Sequence, residues 1–87
     1  MSRRLEFGRR ALADLRALAN RDRRAADRVG AAIVACAEGN QGDVRKLAGG
    51  SGLYRLRIGD WRVLFTLDDE GRTMAISRVL DRRDAYR

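Results

Sequence analysis

Three arginines, Arg55, Arg57 and Arg62, straddle the pair Gly59 and Asp60, and two more, Arg82 and Arg83, stand close to Tyr86 at the end of the chain. A guanidinium keeps its proton and presents a planar fork of N–H donors that matches the oxygens of a phosphate. A tyrosine ring beside such cations can stack on a base. These residue types are therefore suited to holding a phosphodiester and neutralising charge on it, as RNA contacts do. Proton transfer is another matter, because guanidinium does not release its proton in proteins and the chain has no His. The single Cys, Cys36, falls on an apolar helical stripe and reads as a small core residue, not a nucleophile. The glycine-rich stretch 40–52 is not followed by Gly-Lys-Ser/Thr, so it is no phosphate-binding loop.

A hairpin brings the first three cations together. Leu53 to Ile58 and Trp61 to Leu67 alternate with period two around a two-residue turn that suits positive φ at Gly59. The register follows by counting: Ile58 opposes Trp61, Arg57 opposes Arg62, Leu56 opposes Val63, Arg55 opposes Leu64 and Tyr54 opposes Phe65. One face then carries Tyr54, Leu56, Ile58, Trp61, Val63, Phe65 and Leu67, and the other carries Arg55, Arg57 and Arg62. Like charges directly opposite on a sheet destabilise it. At ~5 Å and an effective dielectric near 20, each pair repels by roughly 3 kcal/mol, falling below about 1 in bulk water. A purely structural face has no use for that repulsion unless the arginines splay into solvent; an anion-binding face requires it.

The elements that must position this hairpin are short. Arg3 to Phe7 alternates as a strand with Leu5 and Phe7 on one side. From Arg9 to Ala19 the positions Leu12, Leu15, Leu18 and Ala19 follow helical spacing. After a polar break at 20–22, Ala25, Ala26, Val29, Ala32, Ile33, Cys36 and Ala37 form a second stripe, stopped by Gly39 and Asn40. Residues 40–52 read as a mobile link carrying Arg45 and Lys46. Beyond the acidic turn at 68–71, Arg72 to Val79 is a further strand of ambiguous phase, because Met74 and Ile76 share parity with Arg78 whereas Val79 has the other. Arg45, Lys46, Arg78 and Arg83 are candidate RNA contacts around the hairpin.

The expected fold class is α+β: one small domain over 1–87, ordered β-α-α-β-β-β, with an antiparallel sheet covered on one face by a helical hairpin. The 87 residues are 45% apolar and 36% charged, enough for one core. With 19 basic against 12 acidic residues the net charge is +7, and every basic residue but Lys46 is Arg; the surplus points to nucleic acid or an acidic protein. One Cys and no His exclude an internal disulfide and a four-ligand zinc site, and no metal or cofactor is expected. No apolar run reaches a membrane span, and no apolar stretch follows the N-terminal charges, so a soluble cytoplasmic protein is expected.

The stretch Gly52 to Leu67 and the ending Ser77 to Arg87 resemble the RelE branch of the RelE/ParE toxin superfamily, whose strand-helix-helix-strands order covers nearly the whole chain. The resemblance implies the toxin of a type II toxin-antitoxin module that enters the ribosome and cuts messenger RNA by attack of a 2′-hydroxyl on phosphorus. It implies a cognate antitoxin as partner, in a hetero-oligomer, alongside ribosome and mRNA, and no membrane. The family's activity then falls on Arg55, Arg57, Arg62, Arg82 (or its neighbour Arg83) and Tyr86. Two departures bear on mechanism. Lysines common on the family's hairpin strand are Arg55 and Arg57 here, and a frequent Gly-His before the arginine pair reads Leu80 and Asp81. Tyr86, Asp81, Asp84 or a ribosomal group are left to move protons. Two alternatives stay open: a ParE-like toxin that binds DNA gyrase without cutting, and an inactive relic that only binds its antitoxin.

Overall fold

The structure, a computed structural model, describes residues 2–50, 52–68 and 70–81. Strand β1 (Arg4–Phe7) leads through Gly8 into helix α1 (Arg9–Arg21), and Asp22 alone separates it from helix α2 (Arg23–Gly39). Nothing before Asp22 breaks the helix, so α1 continues through Asn20 and Arg21. The Asp22 carboxylate accepts the Ala25 N–H at 3.1 Å and caps α2. Asn40 ends α2 in the left-handed region, at φ 56°, its N–H returning to the Cys36 carbonyl at 3.0 Å.

Four further strands follow: β2 (Asp43–Lys46), β3 (Leu53–Ile58), β4 (Trp61–Leu67) and β5 (Thr73–Asp81), in one sheet ordered β1-β5-β4-β3-β2. The α+β class and the helical hairpin on one face are as expected from the sequence, with two differences. Residues 43–46 are not a loose link but an edge strand paired antiparallel with β3. Strands β1 and β2 run in opposite directions, and each of the three connections from β2 to β5 reverses the chain, so β5 returns parallel to β1. The sheet is therefore mixed, with one parallel pair beside three antiparallel ones.

The hairpin register is the one counted from the sequence, pair for pair, and Gly59 has φ 58°. The phase of β5 is settled by a bulge: Leu64 pairs with Arg78 and Phe65 with Ile76, leaving Ser77 as an extra residue. Ile76 and Val79 are consequently both buried although their parities differ. The core joins Ala11 and Leu18 of α1, Val29, Ile33, Cys36 and Ala37 of α2, and Leu56, Val63, Phe65 and Met74 of the sheet. In α1 the small Ala11 takes the inward place, and Leu12 is 42% exposed. Tyr54 and Phe65 stack across the strands with centroids 5.4 Å apart.

Candidate functional site

The sheet face turned away from the helices is set by register. Strands β2 to β5 align Asp43, Arg57, Arg62 and Leu80 in one cross-strand row and Arg45, Arg55, Leu64 and Arg78 in the next. Arg55, Arg57 and Arg62 thus share this face, and Arg45 joins them directly opposite Arg55. Between the rows lies a recess of about 190 Å³ lined by Leu47, Arg55, Arg62, Leu64 and Leu80. Two cations in a hollow otherwise walled by leucine act through a lower dielectric than water and pull harder on an anion.

Arg55 is more deeply set than the exposed Arg57. Its side chain is only 15% exposed, and its Nε is buried with no hydrogen-bond partner among the described residues. An unsatisfied buried donor costs about 1–3 kcal/mol, more when charged, so a ligand oxygen that reached it would relieve a standing penalty. Its Nη2 lies 3.5 Å from Oδ1 of Asp43. Arg57 is exposed, and its Nε donates to the Gly59 carbonyl at 3.3 Å.

Arg78 is committed elsewhere. Its Nε and Nη2 donate to Oδ2 and Oδ1 of Asp14 on α1, at 2.9 and 3.3 Å, and the Val79 N–H donates to the same Oδ2 at 2.9 Å. Burial works to raise the Asp14 pKa, but the Arg78 hydrogen bonds, the Val79 N–H and the charges of Arg78 and Arg10 together hold it below its usual value. Lys46 pairs with Tyr54 on the inward parity, its Nζ 6.0 Å from that ring's centroid, so it leaves the arginine face. Asp81 pairs with Trp61 on the parity of Val79, toward the helices. Arg82, Arg83, Asp84 and Tyr86 lie outside the described residues.

Cys36 is 2% exposed, and burial pushes its thiol up, with the Arg3 charge partly opposing. It is core, as the stripe implied, and no nucleophile at neutral pH. Larger hollows of about 360 and 370 Å³ flank α2, and Arg57 lines the second of them, whereas Arg55 and Arg62 line the smaller recess. Sequence reasoning missed Asp43, Leu47, Leu64 and Leu80 at this site. Leu64 is within reach of the same counting that places Arg55; Asp43 is not, because its segment reads as a link in the sequence.

The family model described as the ParE toxin of the type II toxin-antitoxin system parDE matches residues 5–86. The fold is similar to three solved toxin-antitoxin complexes. RelB-RelE from Methanococcus jannaschii is 25% identical, with a TM-score of 0.71 over 93% of this chain and 94% of that one. RelBE2 from Mycobacterium tuberculosis is 28% identical, with 0.66 over 94% and 100%. RelE-RelB from Pyrococcus horikoshii OT3, at 23% identity and 0.75 over 94% and 97%, shares the fold. No curated protein matches the chain.

Proposed function

The chain belongs to the ParE toxin family of type II toxin-antitoxin systems, and from that premise we propose that it is a ribosome-dependent endoribonuclease that arrests translation by cutting mRNA. The observation that carries the reading is the convergence of Arg55, Arg57 and Arg62 on the one sheet face without helices, two of them in a leucine-walled recess. Attack of a 2′-hydroxyl on phosphorus concentrates negative charge on the phosphoryl oxygens. Preorganised guanidinium donors stabilise that charge as it develops. In this reading Arg62 and Arg82 neutralise the phosphoryl group, Arg55 and Arg57 hold the flanking backbone, and Tyr86 stacks on a neighbouring base to keep the phosphate in line. The partners are a cognate antitoxin, the ribosome and its mRNA.

Arginines position and stabilise but do not accept a proton. Asp81, with its inward parity, is a poor candidate for the base, which leaves Tyr86, Asp84 or a ribosomal group. Purified protein is accordingly expected to cut free RNA weakly and translated mRNA efficiently.

The test is in vitro translation with primer extension for wild type, Arg62→Ala and Tyr86→Phe. Loss of about 10²-fold or more in cleavage by Arg62→Ala, the scale for removing one transition-state donor, supports the site; full cleavage by that variant rejects it. The family model's own name favours a second reading, a toxin acting on DNA gyrase. Early arrest of DNA metabolism, with protein synthesis intact, would decide for it.

A further inference from the structure

Two of the Asp–Arg pairs among the described residues, Asp14–Arg78 and Asp43–Arg55, are built to opposite ends. The Nε–H and Nη2–H of an arginine point the same way and together receive two oxygens of one carboxylate or phosphate. In Arg78 both positions are filled by Asp14. In Arg55 only Nη2 has a partner, the single Asp43 oxygen at 3.5 Å, and Nε has none among the described residues. The Arg55 fork is half occupied, its Nε buried, and Arg55 lines the recess together with Arg62.

Asp43 is suited to give way. It sits on the edge strand β2, its side chain is 52% exposed, and it stands directly across from Arg57. In the free protein its carboxylate offsets the mutual repulsion of Arg45, Arg55 and Arg57. A phosphate in the recess would take Nη2–H, displacing that oxygen, and gain Nε–H as well once the freed Arg55 side chain turns toward it, with the like charge of Asp43 nearby.

We propose that Asp43 is an affinity-determining residue of the cation face: an internal stand-in for phosphate that holds one half of the Arg55 fork and must yield it when a phosphate group binds. The proposal rests on the reading of this face as a phosphodiester site, and it concerns how strongly that site grips, not whether it cuts. Asp43 thereby sets an upper limit on the affinity for any polyanion that reaches the recess.

Binding of inorganic pyrophosphate to the full-length protein tests this independently of RNA cleavage. Asp43→Asn and Asp43→Ser, each verified as folded by circular dichroism, are expected to bind pyrophosphate about 3- to 10-fold more tightly than wild type, since a like charge has gone. The gain is expected to vanish when Arg55→Lys is added, because lysine has no fork. Binding by both Asp43 variants that equals or falls below wild type, or absent binding in all proteins, overturns the proposal, as does a gain that survives Arg55→Lys. Failure of the nuclease reading would show elsewhere, as unchanged mRNA cutting by Arg62→Ala, and would leave the pyrophosphate result standing.

Discussion

Among single residues, Asp14 has the clearest structural duty. It accepts both donors of the Arg78 fork and the Val79 N–H, tying α1 to the part of β5 that β1 does not reach. Replacing it with Ala removes both fork contacts from a half-buried guanidinium and the acceptor of the Val79 N–H, and is expected to destabilise the fold by roughly 2 kcal/mol in denaturant melts. Because the folded pKa of Asp14 is depressed, its contribution is complete above the usual 3.8 and is lost as pH falls through the lower folded value. Acid unfolding of Asp14→Asn should therefore show a shallower loss of stability below about pH 4 than wild type. The pair was not legible in the sequence, since its members stand 64 residues apart and nothing local marks either. The three hairpin arginines were legible, because a two-residue turn leaves no freedom in register.

At the scale of elements, legibility followed how much each strand's side chains alternate. Strands β3 and β4 bury one face and declare their phase in the sequence. Strand β5 has the same pattern broken at Ser77, and an inserted residue cannot be read without the partner strand that reveals it. Strand β2 has four exposed residues, Val44 its one apolar member, which is how edge strands avoid pairing with other chains; it therefore gives no inward signal. What fixes β2 is its approach through Gly42, at φ 117°, where an added Cβ would meet the Leu56 Cδ1 at 2.7 Å. Gly42→Ala is expected to cost roughly 2 kcal/mol through strain and overlap. Hydrogen exchange should locate the loss, with amides paired between β2 and β3 losing protection first.

Across the whole molecule, the +7 charge acts on encounter more than on the fold. Association of a basic protein with an acidic partner is steered by the field and weakened by salt. The rate of binding to the cognate antitoxin is expected to fall about tenfold or more between 50 and 500 mM salt, with dissociation changing less; stopped-flow measurement would show it, and a salt-independent association rate would count against an acidic partner. Both helices lie on one side of the sheet, so among the described residues the other side contributes none to the core. If the arginine face carries the proposed activity, chemistry and folding stability lie on opposite surfaces of the sheet and can mutate separately. On that reading, under selection against a poisonous activity, one substitution among the arginines is expected to silence the chain and leave it folded. A harmless descendant that still engages its antitoxin is, for this architecture, a single mutational step away.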